Sequence, residues 1–149
     1  MKKTFLIIGS NSFTGSNFID FCLKKNHKVI GISRSKEIKD LFLVYKKNIN
    51  LKKNFVFFKL DLNKNLIKIL SLIKKAKPTH IVNFASQSMV AQSWVHPIDW
   101  YQTNVISSVK LVEGIKNFKF IKKYVHISTP EVYGKTSFNM IEKSSYNPT

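Results

Sequence analysis

Thr4-Phe-Leu-Ile-Ile8, running straight into Gly9-Ser-Asn-Ser-Phe-Thr-Gly15, decides the fold of this chain. A short apolar run that stops at a glycine-bearing turn reads as a buried strand, not as an amphipathic helix. The segment Phe13 to Lys25 that follows carries Phe18, Phe21 and Cys22 at helical intervals and closes on a lysine pair and Asn26. Strand, tight turn and helix therefore succeed one another without a linker. The strand is apolar along its length instead of alternating, so both of its faces must be covered. That is the habit of a parallel sheet between helix layers.

Working outward, the same alternation continues. His27-Lys-Val-Ile-Gly-Ile32 predicts a second strand and Phe55-Val-Phe-Phe58 a third. Between them, Ser35 to Asn54 is polar and lysine-rich, and a helix is expected around Ile38–Tyr45. Leu66, Ile69, Leu70 and Ile73 share a helical face, and Pro78 forbids its continuation. His80-Ile-Val-Asn-Phe84 reads as a fourth strand and Lys123-Tyr-Val-His-Ile127 as a fifth. Asp99 to Phe118 is expected to be one long helix, with Val105, Val109, Val112 and Ile115 along one face. Strands alternating with helices give an α/β class, and right-handed crossovers make a doubly wound parallel sheet its natural topology. The residues after Ile127 suggest no clear element, so the chain reads as a domain whose C-terminal part is missing.

Composition excludes several classes. The 149 residues are 44% hydrophobic and 13% aromatic, which is enough for a real core and unlike a disordered tail. No apolar run approaches the roughly 20 residues of a membrane span, and the N-terminus shows no signal-peptide cleavage pattern. Cys22 is the single cysteine, which leaves neither a disulfide framework nor a cysteine-based metal site. A soluble, cytoplasmic globular protein is the expectation, with no metal and no membrane. The net charge of +17, from 25 Lys+Arg against 8 Asp+Glu, points first to nucleic acid. Only one of those 25 cations is an arginine, Arg34, and the lysines are scattered in pairs along the whole chain. Arginine is the residue suited to bidentate phosphate and guanine contacts. The lysines therefore read as compositional drift, and no nucleic-acid partner is expected.

The turn after the first strand is where backbone N–H groups and a helix N-terminus meet a pyrophosphate. Gly9 would allow the tight turn, Gly15 the close packing of the helix, and Ser12 occupies the middle position. Two glycines in a strand–helix turn also occur without any ligand. At the end of the second strand, an acidic residue would suit the ribose of NAD and an arginine the extra phosphate of NADP. The sequence there is Ser33-Arg34-Ser35, which favours NADP over NAD, although a lone arginine can be a solvated cation. Asp61 and Leu62 follow the third strand and are placed to meet an adenine edge. Asp61 could equally cap the next helix.

Gly9-x-x-Ser12-x-x-Gly15, followed by Phe18, resembles the glycine turn of the extended short-chain dehydrogenase/reductase family. Phe13 resembles the helix start of its nucleotide-sugar members. Asn83-Phe-Ala-Ser-Gln-Ser88, Pro97 and Thr103-Asn104-Val105 are similar to the fourth-strand and long-helix signature of the same enzymes. Ser128-Thr-Pro-Glu-Val-Tyr-Gly134 is similar to the segment after their fifth strand, and its Thr-x-Glu pattern is that of the dTDP-glucose and GDP-mannose 4,6-dehydratases and of UDP-glucuronate decarboxylases. The resemblance implies an NAD(P)-binding Rossmann domain with Gly9, Ser12, Phe13, Gly15, Ser33, Arg34, Asp61, Leu62, Phe84, Ala85, Ser86 and Asn104 at the cofactor. It implies a nucleotide-diphosphate sugar against Gln87 and Ser88, which as a local pair could also cap a helix. His126 reads as a packed strand residue.

The resemblance also implies a chemistry. A sugar is oxidised at C4, loses a proton from C5 and water from C6, and recovers the hydride at C6. Glu131 stands at the position of the C5 base, and Thr129 at that of a hydrogen-bond donor to the C4 oxygen; the local alternative is a solvated loop pair. Pro130 departs from the dTDP-type pattern, which has Asp there, and from the Ser of the GDP-mannose type. Gln87-Ser88 is nearer the GDP-mannose type. The family's Tyr-x-x-x-Lys motif has no counterpart here, and Asn147-Pro-Thr149 resembles the residues just upstream of it. The expectation is an N-terminal fragment of a longer homodimeric enzyme, lacking the substrate lobe and inactive alone. Epimerase, decarboxylase and reductase remain open, as does a non-catalytic dinucleotide-binding regulator.

Overall fold

The computed structural model describes residues 2–47, 53–137 and 139–148. Residues 48–52, part of the polar stretch after the second strand, and Thr149 of the Asn147-Pro-Thr stretch lie outside them. Five strands, β1 (Thr4–Ile8), β2 (Lys28–Ser33), β3 (Phe55–Lys59), β4 (His80–Asn83) and β5 (Lys123–His126), form one parallel sheet in the order β3-β2-β1-β4-β5. The expected strands are all present, each shifted at its ends by no more than a residue or so. Ile127 extends β5 by one further bond, its N–H donating to Asn83 O at 3.0 Å.

Alternation along β1 divides the core. Phe5 and Ile7 point to the layer of α1 (Phe13–Lys24), where they join Ile19, Cys22, Leu23, Val29, Leu43, Tyr45 and Val82. Leu6 and Ile8 point to the opposite layer, with Ile30, Ile32 and Ile81 against Ile69 and Ile73 of α2 (Leu66–Ala76) and Leu111 and Ile115 of α5 (Ser108–Ile115). Helices on both faces of the sheet confirm the doubly wound class. The edges β3 and β5 are only half-covered. Asn26 closes α1 as expected, in the left-handed region at φ 57°.

Two expectations fail. No helix forms around Ile38–Tyr45; two 3-10 turns, Asp40–Phe42 and Val44–Lys47, take its place. Leu43 and Tyr45 are buried there while Leu41 and Phe42 are exposed. A spacing of two between buried residues does not suit a helical stripe. Nor is Asp99 to Phe118 one regular helix. It is built from α4 (Pro97–Trp100), a π-helical stretch Tyr101–Ser107 and α5, and it stops at Ile115. Its buried face is Ser107, Ser108, Leu111 and Ile115, whereas Val105, Val109 and Val112 are exposed. A short α3 (Val90–Val95) and a 3-10 turn, Pro130–Tyr133, complete the chain. No helix among the described residues is long and apolar enough to cross a membrane.

Candidate functional site

In the order β3-β2-β1-β4-β5 the direction of winding reverses between β1 and β4. Loops leaving those two strands must part in opposite directions, and the crevice between them is where open α/β sheets bind ligands. A groove of about 320 Å³ lies there, lined by Gly9, Asn11 and Ser12 after β1, Ser33, Arg34 and Ser35 after β2, Asp61 to Asn63 after β3, and Phe84 to Gln87 after β4.

The β1 turn is braced from several sides. Gly9 and Ser10 both donate their N–H to Ile32 O, at 2.8 and 3.0 Å. Gly9 has φ 84°, and a Cβ there would come within 2.8 Å of the Phe84–Ala85 backbone. Ser12 caps α1: its Oγ donates to Gly9 O at 2.8 Å and accepts from Gly15 N at 3.0 Å. The first turn of α1 contains no acidic side chain. The N–H groups of Phe13 and Thr14 have no acceptor inside the helix, so a positive helix end faces the groove ready for an anion.

The other walls are equally specific. Asp61 is not the cap of α2; that place is taken by Asn65, whose side chain instead accepts from Asp61 N at 2.9 Å. Asp61 accepts from Asn63 N at 2.8 Å, a short-range turn that fixes the end of β3. Asn83 Oδ1 accepts from Ala85 N at 3.0 Å and directs the chain away from β4. The π-helical stretch, wider than an α-helix, turns Thr103 and Asn104 towards these loops. Thr103 Oγ1 accepts from Asn63 Nδ2 at 2.9 Å. Asn104 accepts from Gln87 N at 2.8 Å and donates to Gln87 O at 3.0 Å.

A second cavity of about 550 Å³ adjoins the first, sharing Ser86 and Gln87 as a common wall. Its lining brings together Gln87, Ser88, Thr129 and Glu131, with Trp100, Asn104, His126 and Ser128. Both volumes fall in the range of small-molecule sites. Residues widely separated in the sequence thus converge on one continuous cleft. Gln87 and Ser88 do not cap α3, whose N-cap is Met89.

Phe13 does not line either cavity: it is 85% exposed on the outer side of α1. Gly15 lies beneath the loop, and Asn104 borders the second cavity, not the first. His126, expected to be packed in its strand, is exposed and lines the second cavity. It belongs to the edge strand β5, and its ring stacks on that of Tyr124 with centroids 6.4 Å apart. Its Nδ1 lies 3.4 Å from both Asn83 Nδ2 and Tyr124 Oη. Asn11, Asn63, Trp100 and Thr103 were also not anticipated. Among the described residues no group of three His, Cys, Asp or Glu side chains is placed to hold a metal ion.

The groove fits a dinucleotide on its own features. Asn11 borders it, and Asn11 Oδ1 is buried without a hydrogen-bond partner. The N–H groups that open α1 supply donors for phosphate, and Ile38 and Leu62 an apolar slot for a flat ring.

A family model described as GDP-mannose 4,6 dehydratase matches residues 6–149. The dTDP-D-glucose 4,6-dehydratase of Dictyostelium discoideum is 32% identical over 165 residues, covering 97% of this chain and 36% of that protein. A dTDP-glucose 4,6-dehydratase from Bacillus anthracis, solved in complex with NAD, superposes with TM-score 0.77 at 27% identity, over 99% of this chain and 44% of that one. A UDP-Glc/GlcNAc 4-epimerase from Campylobacter jejuni shares the fold with TM-score 0.82 at 23% identity, over 99% and 44%. The chain spans less than half the length of the curated relatives it matches. With the cleft and these matches together, the chain belongs to the nucleotide-sugar epimerase/dehydratase group of the extended short-chain dehydrogenase/reductase family.

Proposed function

We propose that this chain is the dinucleotide-binding, N-terminal part of a nucleotide-sugar 4,6-dehydratase that uses NADP. The observation that carries the reading is the shared wall at Ser86 and Gln87, which sets Thr129 and Glu131 next to the dinucleotide groove. The N-terminus of α1 would hold the pyrophosphate, with Gly9 letting the backbone come close and Ser12 bracing the turn around it. Ser33 and Arg34 would hold a ribose phosphate, and Asp61 and Leu62 the adenine. Bound there, the dinucleotide supplies a hydride acceptor that returns what it takes. Gln87 and Ser88 would orient the sugar. Thr129 would donate its hydroxyl hydrogen to the oxygen at C4.

Glu131 carries the proton chemistry in this reading. Its carboxylate takes the C5 proton, the C6–O bond breaks, and the departing hydroxyl leaves as water with a proton from Glu131 or from solvent. Pro130 between the two has no acidic proton to give. The Tyr-x-x-x-Lys pair and the substrate lobe would come from sequence beyond residue 149, in keeping with the share of the relatives that this chain spans. The exposed Val105, Val109 and Val112 support a homodimer through this helical face.

The test is to incubate the polypeptide carrying this chain with dTDP-glucose and with GDP-mannose in deuterated water and follow products by NMR. A 4-keto-6-deoxy sugar with deuterium at C5 is expected. Glu131→Gln should lower kcat by about 10²–10⁴-fold with substrate binding retained. A product inverted at C4 with no loss of water would instead make the enzyme an epimerase. Dinucleotide binding with no turnover of any nucleotide sugar would leave the regulator.

A further inference from the structure

Lysines that look scattered along the sequence are gathered by the fold. Because β1 to β5 are all parallel, their first residues share one end of the sheet, the end away from the cleft. Exposed lysines stand at or just before each start: Lys2 and Lys3 at β1, Lys28 at β2, Lys53 at β3, Lys77 at β4, Lys122 and Lys123 at β5. Backbone bonds set these entries side by side. Lys28 N–H donates to Lys3 O at 2.9 Å, Thr79 N–H to Thr4 O at 2.9 Å, and Lys122 N–H to Thr79 O at 2.8 Å. With strands about 4.8 Å apart, the row is about 19 Å long. From this placement we propose that the N-terminal end of the sheet is a docking face for an anionic phospholipid surface.

The fold itself does not call for this charge. Lys24, Lys74 and Lys75 sit in the last turns of α1 and α2, where a cation complements the negative helix end. Strands carry no comparable dipole, so the lysines at their starts have no such reason to be there. Nor do carboxylates answer them. Glu37 and Asp40 follow β2, Asp61 follows β3 and Glu131 follows β5, all after strand ends. Asp20 and Glu113 are paired within their own helices, with Lys24 at 2.7 Å and Lys116 at 2.6 Å. The repulsion reaches inward: after burial, Lys3, Lys122 and Lys123 help hold the His80 imidazole below its ordinary value. An anionic surface laid against this end would relieve it.

The chemistry of the face selects lipid among polyanions. Its cations are lysines, point charges without the planar fork that reads nucleic acid, and Arg34 lies after β2 at the other end. Single strands are held by stacking on several exposed rings. Here Phe5 turns inward on His27 and His80, at 5.4 and 4.9 Å, and Phe21 in the last turn of α1 is the exposed ring beside them. The ammonium groups spread across a sheet end instead of lining a groove. A cavity of about 320 Å³ within this end, lined by Lys2, Lys25, Asn26 and His27, would seat a headgroup phosphate. Clusters of about 4–8 basic residues are what hold a polypeptide to anionic lipid. A chain docked this way turns its cleft towards solvent, so the docking asks nothing of the sugar chemistry proposed above.

Co-sedimentation of the polypeptide carrying this chain with vesicles of about 30% phosphatidylserine in phosphatidylcholine tests this. Binding is expected there and not to pure phosphatidylcholine, and it should fade as salt rises from about 0.05 M to about 0.5 M. Replacing Lys2, Lys28, Lys122 and Lys123 together by Gln should weaken partitioning by about 10²–10³-fold. Lys39, Lys64, Lys68 and Lys135, exposed after strand ends, give a control set. Their replacement by Gln removes the same charge and should cost far less. Equal losses in the two sets would reduce the effect to net charge and overturn the proposal. So would a wild-type protein that ignores the anionic vesicles or binds both kinds alike, a comparison that holds whatever the variants do to folding. Retention of a labelled single-stranded RNA without retention on vesicles would also overturn it, in favour of nucleic acid.

Discussion

Ser12 shows what a side chain does where a third glycine would leave only backbone. Its hydroxyl is consumed by the turn itself, given to Gly9 O and shared with Gly15 N. Ser12→Ala should therefore cost about 1 kcal/mol of unfolding free energy, the usual value of an N-cap. Gly15 is less forgiving. A Cβ there would run into Gly9 O and lie 2.8 Å from Ser12 Oγ, and the first of these is backbone that cannot swing aside. Gly15→Ala should lower the urea midpoint further than Ser12→Ala with m unchanged; equal midpoints would contradict the packing argument. The glycines of this turn were legible because their spacing is local. Asn11 was not, because its partners lie 24 and 25 residues away in a loop without periodicity. His126 was misread for a different reason: strand position foretells direction, but not whether a neighbouring strand covers it.

Strands were the most legible elements, since buried β1, β2 and β4 are apolar on both faces. The helical stretch from Pro97 to Ile115 was the least. Its valines form a helical stripe that a sequence pattern assigns to the core, yet the buried side is set by Ser107, Ser108 and Leu111. Buried serines are a packing signal that hydrophobicity does not register. The Thr129-Glu131 end of the cleft was legible only through family resemblance, because nothing in spacing alone brings it to Gln87.

At the opposite, N-terminal ends of the strands, elements converge with like charge. His27 precedes β2 and His80 opens β4. Burial holds His27 below the ordinary imidazole value of 6.5, with Lys3 and the N-terminus adding repulsion. Burial does the same to His80, with Lys3, Lys122, His27 and Lys123 reinforcing it. A folded-state pKa below the unfolded one means that protonation favours unfolding. The two imidazoles cost nothing well above 6.5, and stability drains away as the pH falls through 6.5 towards their lower folded values. Urea midpoints should drop between about pH 7.5 and about pH 5, and His27→Gln with His80→Gln should remove part of that drop. A double variant as acid-sensitive as wild type would place the sensitivity elsewhere.

At the scale of the sheet, the first of the five described strands to be made lies in its middle. β1 meets β2 after a single helix, but its other neighbour begins at His80, and the matching Thr4–Thr79 contact spans 75 residues. Translation at about 5–20 residues per second leaves that second edge open for several seconds. The two faces of the core are also not born together. The fully buried members of the cluster on the α1 side run from Phe5 to Tyr45 with only Val82 from later sequence, and Phe55, Phe84 and Val125 pack at its margin, whereas the fully buried part of the opposite cluster waits for Leu111 and Ile115. One layer can therefore close on the ribosome long before the other. Cys22, buried in the early layer with its thiol pKa pushed up to about 12, reports on that moment. In chains halted after β3 but before β4 it should already resist alkylation; resistance gained only once β5 has emerged would mean that both layers close as one. The central strand thus makes birth order, and not only topology, part of how this sheet is assembled.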